Sequence, residues 1–345
     1  MHSFSSRVFY GCIRRLLSAL GIIRWNTINL FQWEILPKLE FKVVKTISGG
    51  QLVNHVHPIS GFEERFVFQD RHLISAKDII LDLETGVIFN LSGSILNESS
   101  NYSRDYLLST AFPRPFSSFV TSHIHEPSFF LPNNGFYHWL YEDLPNFLRS
   151  LDLYPRSEGV LVSRKAKKYV RDFAFMKNLT LKESDRYIRF DELYFMAYGQ
   201  SSGWPDPRDV LLLRETIGIT KPPRPHKKIY ISRKNSSRSP SFELKLETDL
   251  REKGWEILYA EKLNFEEQIE IFSQARVICG VGGANLANVV WADPKAILIE
   301  LSDSWFSPCF SRMSSYLGYQ YHLVEFKDCK NFDTNSLLRQ IVSFS

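Results

Sequence analysis

The chain has 345 residues, a formal net charge of +4, 44% hydrophobic and 23% charged residues. That length buries a full core and leaves room for two domains. Its Lys and Arg are dispersed, which excludes the concentrated basic footprint of a nucleic-acid binder.

Four cysteines, Cys12, Cys279, Cys309 and Cys329, form no CxxC pair. Neither a zinc framework nor a disulfide scaffold is expected, and a reducing, cytoplasmic setting is.

In chain order, residues 7–25 are too interrupted by charge to span a membrane. On a helical wheel Phe9, Cys12, Ile13, Leu16, Leu20 and Ile23 share a face opposite Arg7, Arg14 and Ser18. Residues 1–26 therefore read as an amphipathic N-terminal helix. Two placements stay open: flat on anionic lipid as a peripheral membrane contact, or docked on the protein's own core.

From Phe41 to Ser100 the pattern is one of short strands, with Ile79–Phe89 a hairpin around Glu84-Thr85-Gly86. His55 and His57 lack a clear third ligand and read as surface histidines, so no metal site is expected.

Between Asn133 and Leu151 a helix is expected, capped by Asn133 or Asn134 and kinked or ended by Pro145. Its i, i+4 spacing puts His138 and Glu142 on one face. A carboxylate beside an imidazole fixes its tautomer and stabilises its cation, which makes a usable general base. A purely structural pair is the other reading of the spacing.

Gly159–Ser163 and Leu193–Ala197 are buried-strand candidates of a first α/β layer, separated by a basic helical segment over Lys165–Lys177. Gly199–Pro207 and Lys221–Pro225 bracket the interdomain connection, with the boundary near residue 222.

After that boundary the alternation is strict. The apolar run Lys227–Ile231 ends in a loop of cations and hydroxyls that includes Arg233, Lys234 and Arg238. Helix, strand and helix follow over Phe242–Lys253, Trp255–Tyr259 and Phe265–Ala275. The run Val277-Ile278-Cys279 then meets a glycine cluster, Gly280, Gly282 and Gly283, and a helix-compatible stretch from Ala284 through Asn288. Strand, glycine turn and helix N-terminus form an anion site: glycines permit positive φ and close approach, and the first-turn N–H groups and dipole favour a phosphate.

Ala296–Leu301 is a further strand ending in Glu300, placed to accept hydrogen bonds from ribose hydroxyls or else a plain strand-end charge. Ser304–Leu317, Tyr319–Phe326 and residues 331–345 read as helix, strand and a final helix; in two-domain folds of this kind that helix often crosses back to the first domain, which no residue here specifies. Alternating strands and helices imply a parallel sheet whose two phosphate-prone loops open on the same edge.

Three stretches carry a resemblance: ISRKNSSRS with its acidic helix, ICGVGGANLANVVWADPKAILIEL, and NNGFYHWLYEDLP at 133–145. Together they resemble glycosyltransferase family 61 over roughly residues 110–330. The family's glycine loop reads about G-P-H-G-A-G-L-x-N. Gly280, Gly283, Ala284, Leu286 and Asn288 match it, whereas Val281, Gly282 and Asn285 stand where Pro, His and the last Gly are expected.

The resemblance implies an α/β, GT-B-like fold with two Rossmann-like domains facing a cleft. An acceptor-side domain would span 27–222 and a nucleotide-sugar domain 223–330. It implies an inverting, metal-independent transfer from a nucleotide sugar, a UDP-sugar first, to a glycan or lipid-linked glycan in polysaccharide biosynthesis, with no cofactor.

His138 or Glu142 would be the base. Arg233, Lys234, Arg238, Gly282, Gly283, Ala284, Asn288 and Glu300 would hold the donor. A catalytically idle sugar-nucleotide scaffold and, more remotely, a nicotinamide-dependent oxidoreductase are the alternatives.

Overall fold

The computed structural model describes residues 27–28, 41–50, 52–91, 95–96, 99–100, 120, 122–126, 128–153, 159–198, 202–218, 224–303, 307–327 and 332–345. The amphipathic segment 1–26 and the connection at 219–223 lie outside them. The chain divides into two compact units: residues 1–51, 68–134 and 142–202 form one, and residues 52–67, 135–141 and 203–345 the other.

The first unit is built on a long antiparallel pair, Arg71–Asp82 against Tyr187–Met196. Around it the sheet runs Thr27–Ile28, Ile95–Leu96, Ile88–Asn90, Arg71–Asp82, Tyr187–Met196, Ser122–Ile124, and Phe41–Ile47 also pairs with Arg71–Asp82. A separate parallel sheet joins Leu181–Ser184, Val160–Ser163 and Phe129–Phe130.

Ile74, Ile79, Leu81, Ile188, Phe190, Leu193 and Phe195 form the core of this unit. The hairpin at Glu84-Thr85-Gly86 is present. The buried Asp82 carboxylate accepts from Glu84 N and Thr85 Oγ1, each at 3.0 Å, and from Arg186 at 2.8 and 2.9 Å. Gly86 takes φ +76°, a left-handed turn position that disfavours a side chain.

This unit corrects two expectations. Its large sheet is mixed and mostly antiparallel, not a Rossmann-like parallel layer. The strands around residues 160 and 195 belong to different sheets. Buried apolar runs show that a strand is covered on both faces but carry no sign of its direction.

In the second unit the strands are labelled β1 (Lys227–Ile231), β2 (Glu256–Leu258), β3 (Ala275–Val281), β4 (Ile297–Ser302) and β5 (Gln320–Glu325). All pairings are parallel and the order is β2-β1-β3-β4-β5. Alternate residues Tyr230, Val277, Cys279, Val281, Ile299 and Leu301 share one face with Leu246 and Leu250 of the Glu243–Glu252 helix.

Leu337 and Ile341 of the closing helix, Thr334–Ser343, join that cluster. The final helix therefore packs within its own unit and does not cross back. Asp333 caps it, its side chain accepting from Asn335 N and Ser336 N.

The boundary also differs from the expected residue 222, since the second unit begins at Gly203 and recruits a hairpin, Leu52–Val56 paired with Glu63–Val67. The helix Cys309–Leu317 holds that hairpin: the Glu64 carboxylate takes both Arg312 nitrogens at 2.7 and 2.9 Å. His55 bonds to Glu64 at 2.8 Å and to Ser311 Oγ at 3.0 Å. His55 is thus buried rather than a surface histidine, and desolvation lowers its pKa despite the carboxylate beside it.

Candidate functional site

The strand order reverses direction between β1 and β3, which makes their C-terminal ends the switch point at which open parallel sheets take ligands. The loop after β1 and the loop after β3 open there side by side, as Ile231 pairs with Gly280.

Two buried carboxylates of the acidic helix hold the first loop. Glu243 accepts from Arg233 N at 2.6 Å and from Tyr230 Oη at 3.1 Å. Glu247 accepts from Ser232 Oγ at 2.6 Å and Tyr259 Oη at 2.7 Å. Burial raises the Glu243 pKa; burial also opposes ionisation of Glu247, but its hydrogen bonds outweigh that and hold it low. The loop is therefore preorganised by charge-assisted bonds.

The half-buried Arg233 guanidinium donates from Nη1 to the Gly282 carbonyl at 2.9 Å, tying the first loop to the second. Burial, and then the neighbouring Arg238, push its pKa down, while an Arg remains charged. Two guanidiniums that repel each other in a partly desolvated place favour an anion between them.

The glycines work differently from expectation. Gly280, Gly282 and Gly283 are not among the positive-φ positions, and Gly283, at φ 165°, is extended. What they supply is room. A Cβ on Gly282 would lie 2.8 Å from Glu300 Oε1, one on Gly280 3.2 Å from Ile231 Cβ, and one on Gly283 3.4 Å from the Arg233 guanidinium.

The Gly282 N–H donates to Leu301 O at 2.8 Å. The stretch Ala284–Trp291 winds as a 3-10 helix, with Leu286 N bonded to Gly283 O. The expected α-helical N-terminus is thus a tighter turn, whose weaker hydrogen-bond alignment gives less dipole to offer.

A cavity of about 250 Å³ opens among Arg233, Asn235, Ser236, Arg238, Glu261 and the Gly283-Ala284-Asn285 turn. A second, of about 560 Å³, shares Arg233 and Arg238 and is completed by Gly282, Ser302, Asp303 and Phe326. Of the residues expected to hold a donor, Arg233, Arg238, Gly282, Gly283 and Ala284 line this space.

Lys234 is exposed and lines neither cavity. Asn288 is fully buried, donating to Gln268 Oε1 at 2.7 Å and accepting from Trp291 Nε1 at 3.2 Å, so it braces the 3-10 helix. Glu300 lies under Gly282 rather than on the cavity wall, with Tyr321 Oη donating to it at 2.8 Å. Burial pushes its carboxyl up to about 7.

Asn235, Ser236, Glu261, Asn285 and Asp303 line the cavities without having been singled out. Asn235, Ser236 and Asn285 belong to the two loops after β1 and β3, whereas Glu261 follows β2 and Asp303 follows β4, brought to the same sheet edge by strand-end position without any motif of their own.

The motif at 133–145 lies across two units. Gly135–Tyr141 belongs to the second and Glu142 opens the next stretch of the first. Residues Phe136–His138 are helical, and Trp139–Asp143 then form a π turn before Leu144–Leu153.

Within the second unit this segment packs on the 3-10 helix that follows the glycine loop. Tyr141 Oη donates to Ala287 O at 2.6 Å, and Phe136, Trp139 and Trp291 surround Phe265. His138, half-buried, is carried on it, its ring 5.4 Å from that of Tyr137.

The i, i+4 relation to the buried Glu142 was inferred from 3.6-residue winding. The π turn, with i→i+5 bonding, replaces that winding here; such turns often mark functional sites. Gly135, without a side-chain cap bond, starts the helix instead of an asparagine.

Asn133 bonds to Glu84, Lys165 O and Lys167 N, and Asn134 Nδ2 donates to Asp143 Oδ2 at 2.9 Å. Asp143, buried and also bonded by Tyr198 Oη, closes a small pocket of about 30 Å³ in the first unit.

A parallel sheet in the order β2-β1-β3-β4-β5, with its switch point between β1 and β3, defines a doubly wound α/β unit, the class whose switch points take ligands. Residues 136–299, from the His138 segment to β4, match the glycosyltransferase 61 family. The chain carries a glycosyltransferase family 61 domain and is a glycosyltransferase. No curated protein matches the chain.

Proposed function

We propose that the protein transfers a sugar from a nucleoside-diphosphate sugar, a UDP-sugar first among them, to a hydroxyl of a glycan acceptor with inversion at the anomeric carbon. The observation that carries this reading is the pair Arg233 and Arg238 at the switch-point cavity, one of them fixed through its backbone to Glu243 and through its guanidinium to Gly282.

The acceptor oxygen attacks the anomeric carbon, and the bond to the diphosphate breaks with its electron pair leaving on phosphate. The two guanidiniums stabilise that developing charge, which is where preorganised electrostatics contribute most. His138 takes the acceptor proton, and Glu142 is the second candidate for that step or for orienting it. In a GT-B-like division of labour the second unit holds the donor.

Calorimetric titration of UDP, GDP and dTDP, followed by transfer assays with the sugar nucleotides of whichever base binds, tests this. Arg233→Ala and Arg238→Ala should each weaken diphosphate binding by about tenfold to a hundredfold, the range for losing a hydrogen bond to a charged group. Equal binding by both variants and wild type would sink the switch-point assignment.

A further inference from the structure

The first unit holds a cluster that the transfer reaction does not use. His123 lies in the edge strand Ser122–Ile124 and His125 follows it; strand alternation puts the two on the same face. That strand pairs in parallel with Tyr187–Met196, Arg189 opposite His123 and Phe190 opposite Ile124. Continuing the register by one residue sets Asp191 beside His125.

The side chains converge accordingly. His123 Nε2 is 2.5 Å from Asp191 Oδ1, His125 Nδ1 is 2.7 Å from Asp191 Oδ2, and the two rings stand 4.2 Å apart. One ligand atom from each residue lies within 4.8 Å of the others.

We propose that His123, His125 and Asp191 form a binding site for one divalent transition-metal ion of the zinc class. Three features support it. Two imidazoles and one carboxylate are a donor set suited to zinc, cobalt or nickel and ill suited to magnesium or calcium, which want oxygen ligands.

The spacing also fits. Ligands about 2.0–2.1 Å from a tetrahedral zinc lie roughly 3.3 Å apart, so a modest outward swing of exposed rings opens the existing cluster to that geometry. Finally, two rings aimed at opposite oxygens of one solvated carboxylate gain little from each other as an ion pair. Their convergence is better used around a cation. Arg189, opposite His123 in register, is held away by Asp78 at 2.9 Å.

The ion would join the short edge strand to its neighbour, which three residue pairs alone hold weakly. The side chains are 33%, 72% and 45% exposed, so the remaining coordination position faces water. The expectation of no metal site rested on the cysteine spacing and on the His55/His57 pair; here the third ligand comes from a strand more than sixty residues away in sequence.

The test uses the untagged full chain, stripped with chelator and titrated with Co²⁺ followed by Zn²⁺ displacement. One equivalent of Co²⁺ should bind, with visible d–d absorption that Zn²⁺ abolishes, and Mg²⁺ should not compete. His123→Ala, His125→Ala and Asp191→Ala should each weaken binding by at least about tenfold, since losing a ligand costs no less than losing a ligand's own hydrogen-bond partner.

His123 and His125 are exposed and Asp191 is partly so, and the variants should therefore keep the wild-type circular dichroism. His57→Ala should bind as wild type. Absence of a one-equivalent Co²⁺ site, or unchanged binding in all three cluster variants, would overturn the proposal.

Discussion

The cavity at the β1/β3 edge and the pocket beside Asp143 both gather polar side chains, yet one is roomy and the other nearly filled. In the first, the carboxylates of Glu243 and Glu247 brace a loop from behind, and the guanidiniums of Arg233 and Arg238 face about 250 and 560 Å³ of space. In the second, Asp143 is bonded by Asn134 and Tyr198 beside about 30 Å³, room for a water and little more. A satisfied buried network rigidifies its surroundings, whereas a braced loop with outward cations is ready for a ligand. Proximity to the 133–145 motif is thus a weaker guide to ligand binding than which polar groups still face solvent.

The largest expected effect falls on the reaction itself. His138→Ala should lower turnover by about a hundredfold to ten-thousandfold while leaving donor affinity nearly unchanged, because a general base acts in the transition state. Steady-state rates set beside donor titrations read both numbers. Near-normal turnover would remove His138 and turn attention to Glu142 or Asp143, breaking the contrast drawn above.

Next comes the carboxyl behind the open cavity. Burial raises Glu300 from 4.5 to about 7, so the folded state keeps its proton after the unfolded state has lost it. Its contribution to stability is intact below about pH 4.5, declines by about 1.4 kcal/mol per pH unit as pH rises towards 7, and levels off above that, about 3 kcal/mol in all. Chemical denaturation at several pH values should show this slope in the wild type and not in Glu300→Gln. A slope shared by both proteins would mean that Glu300 ionises as freely folded as unfolded.

The smallest effect sharpens the comparison from the nearly filled pocket. Asp143→Asn should cost about 1–3 kcal/mol of stability, since an amide cannot accept from both Asn134 and Tyr198 as a carboxylate does. Nucleoside-diphosphate binding should stay as in the wild type. A selective loss of that binding with stability unchanged would show that the pocket takes part in donor recognition.

Much of the second unit could be read from residues 226–301. Each β-strand there is a short apolar run bounded by turn residues, and each intervening helix keeps its own periodicity, so elements and their order followed from local pattern. The acidic helix over Glu243–Glu252 was also legible, but the use of Glu243 and Glu247 as braces for the Arg233 loop was not. That use depends on strand and helix being packed together.

Local pattern misled where two local rules competed. The glycine cluster was read for its conformational freedom, and its real constraint is space: Glu300, from the neighbouring strand, occupies the volume a side chain on Gly282 would need. The helix expected between Asn133 and Leu151, with a kink or an end at Pro145, is instead interrupted earlier, by a π turn over Trp139–Asp143 where aromatic residues pack, and runs on through Pro145 to Leu153.

The sequence by itself determined the α/β class, the parallel C-terminal sheet, the two cation- and glycine-bearing loops and the family resemblance. These rest on periodicity, turn chemistry and motifs, which are properties of neighbouring residues.

Only the tertiary structure decided that the N-terminal sheet is mixed, that the 52–67 hairpin joins the second unit through Glu64 and Arg312, and that Asn288 and Glu300 stand behind the cavity rather than in it. It alone brought His123 and His125 to Asp191. The reason is common to all of these: strand direction, register and burial are set by pairings between segments far apart in the chain, and no local window of sequence contains both partners.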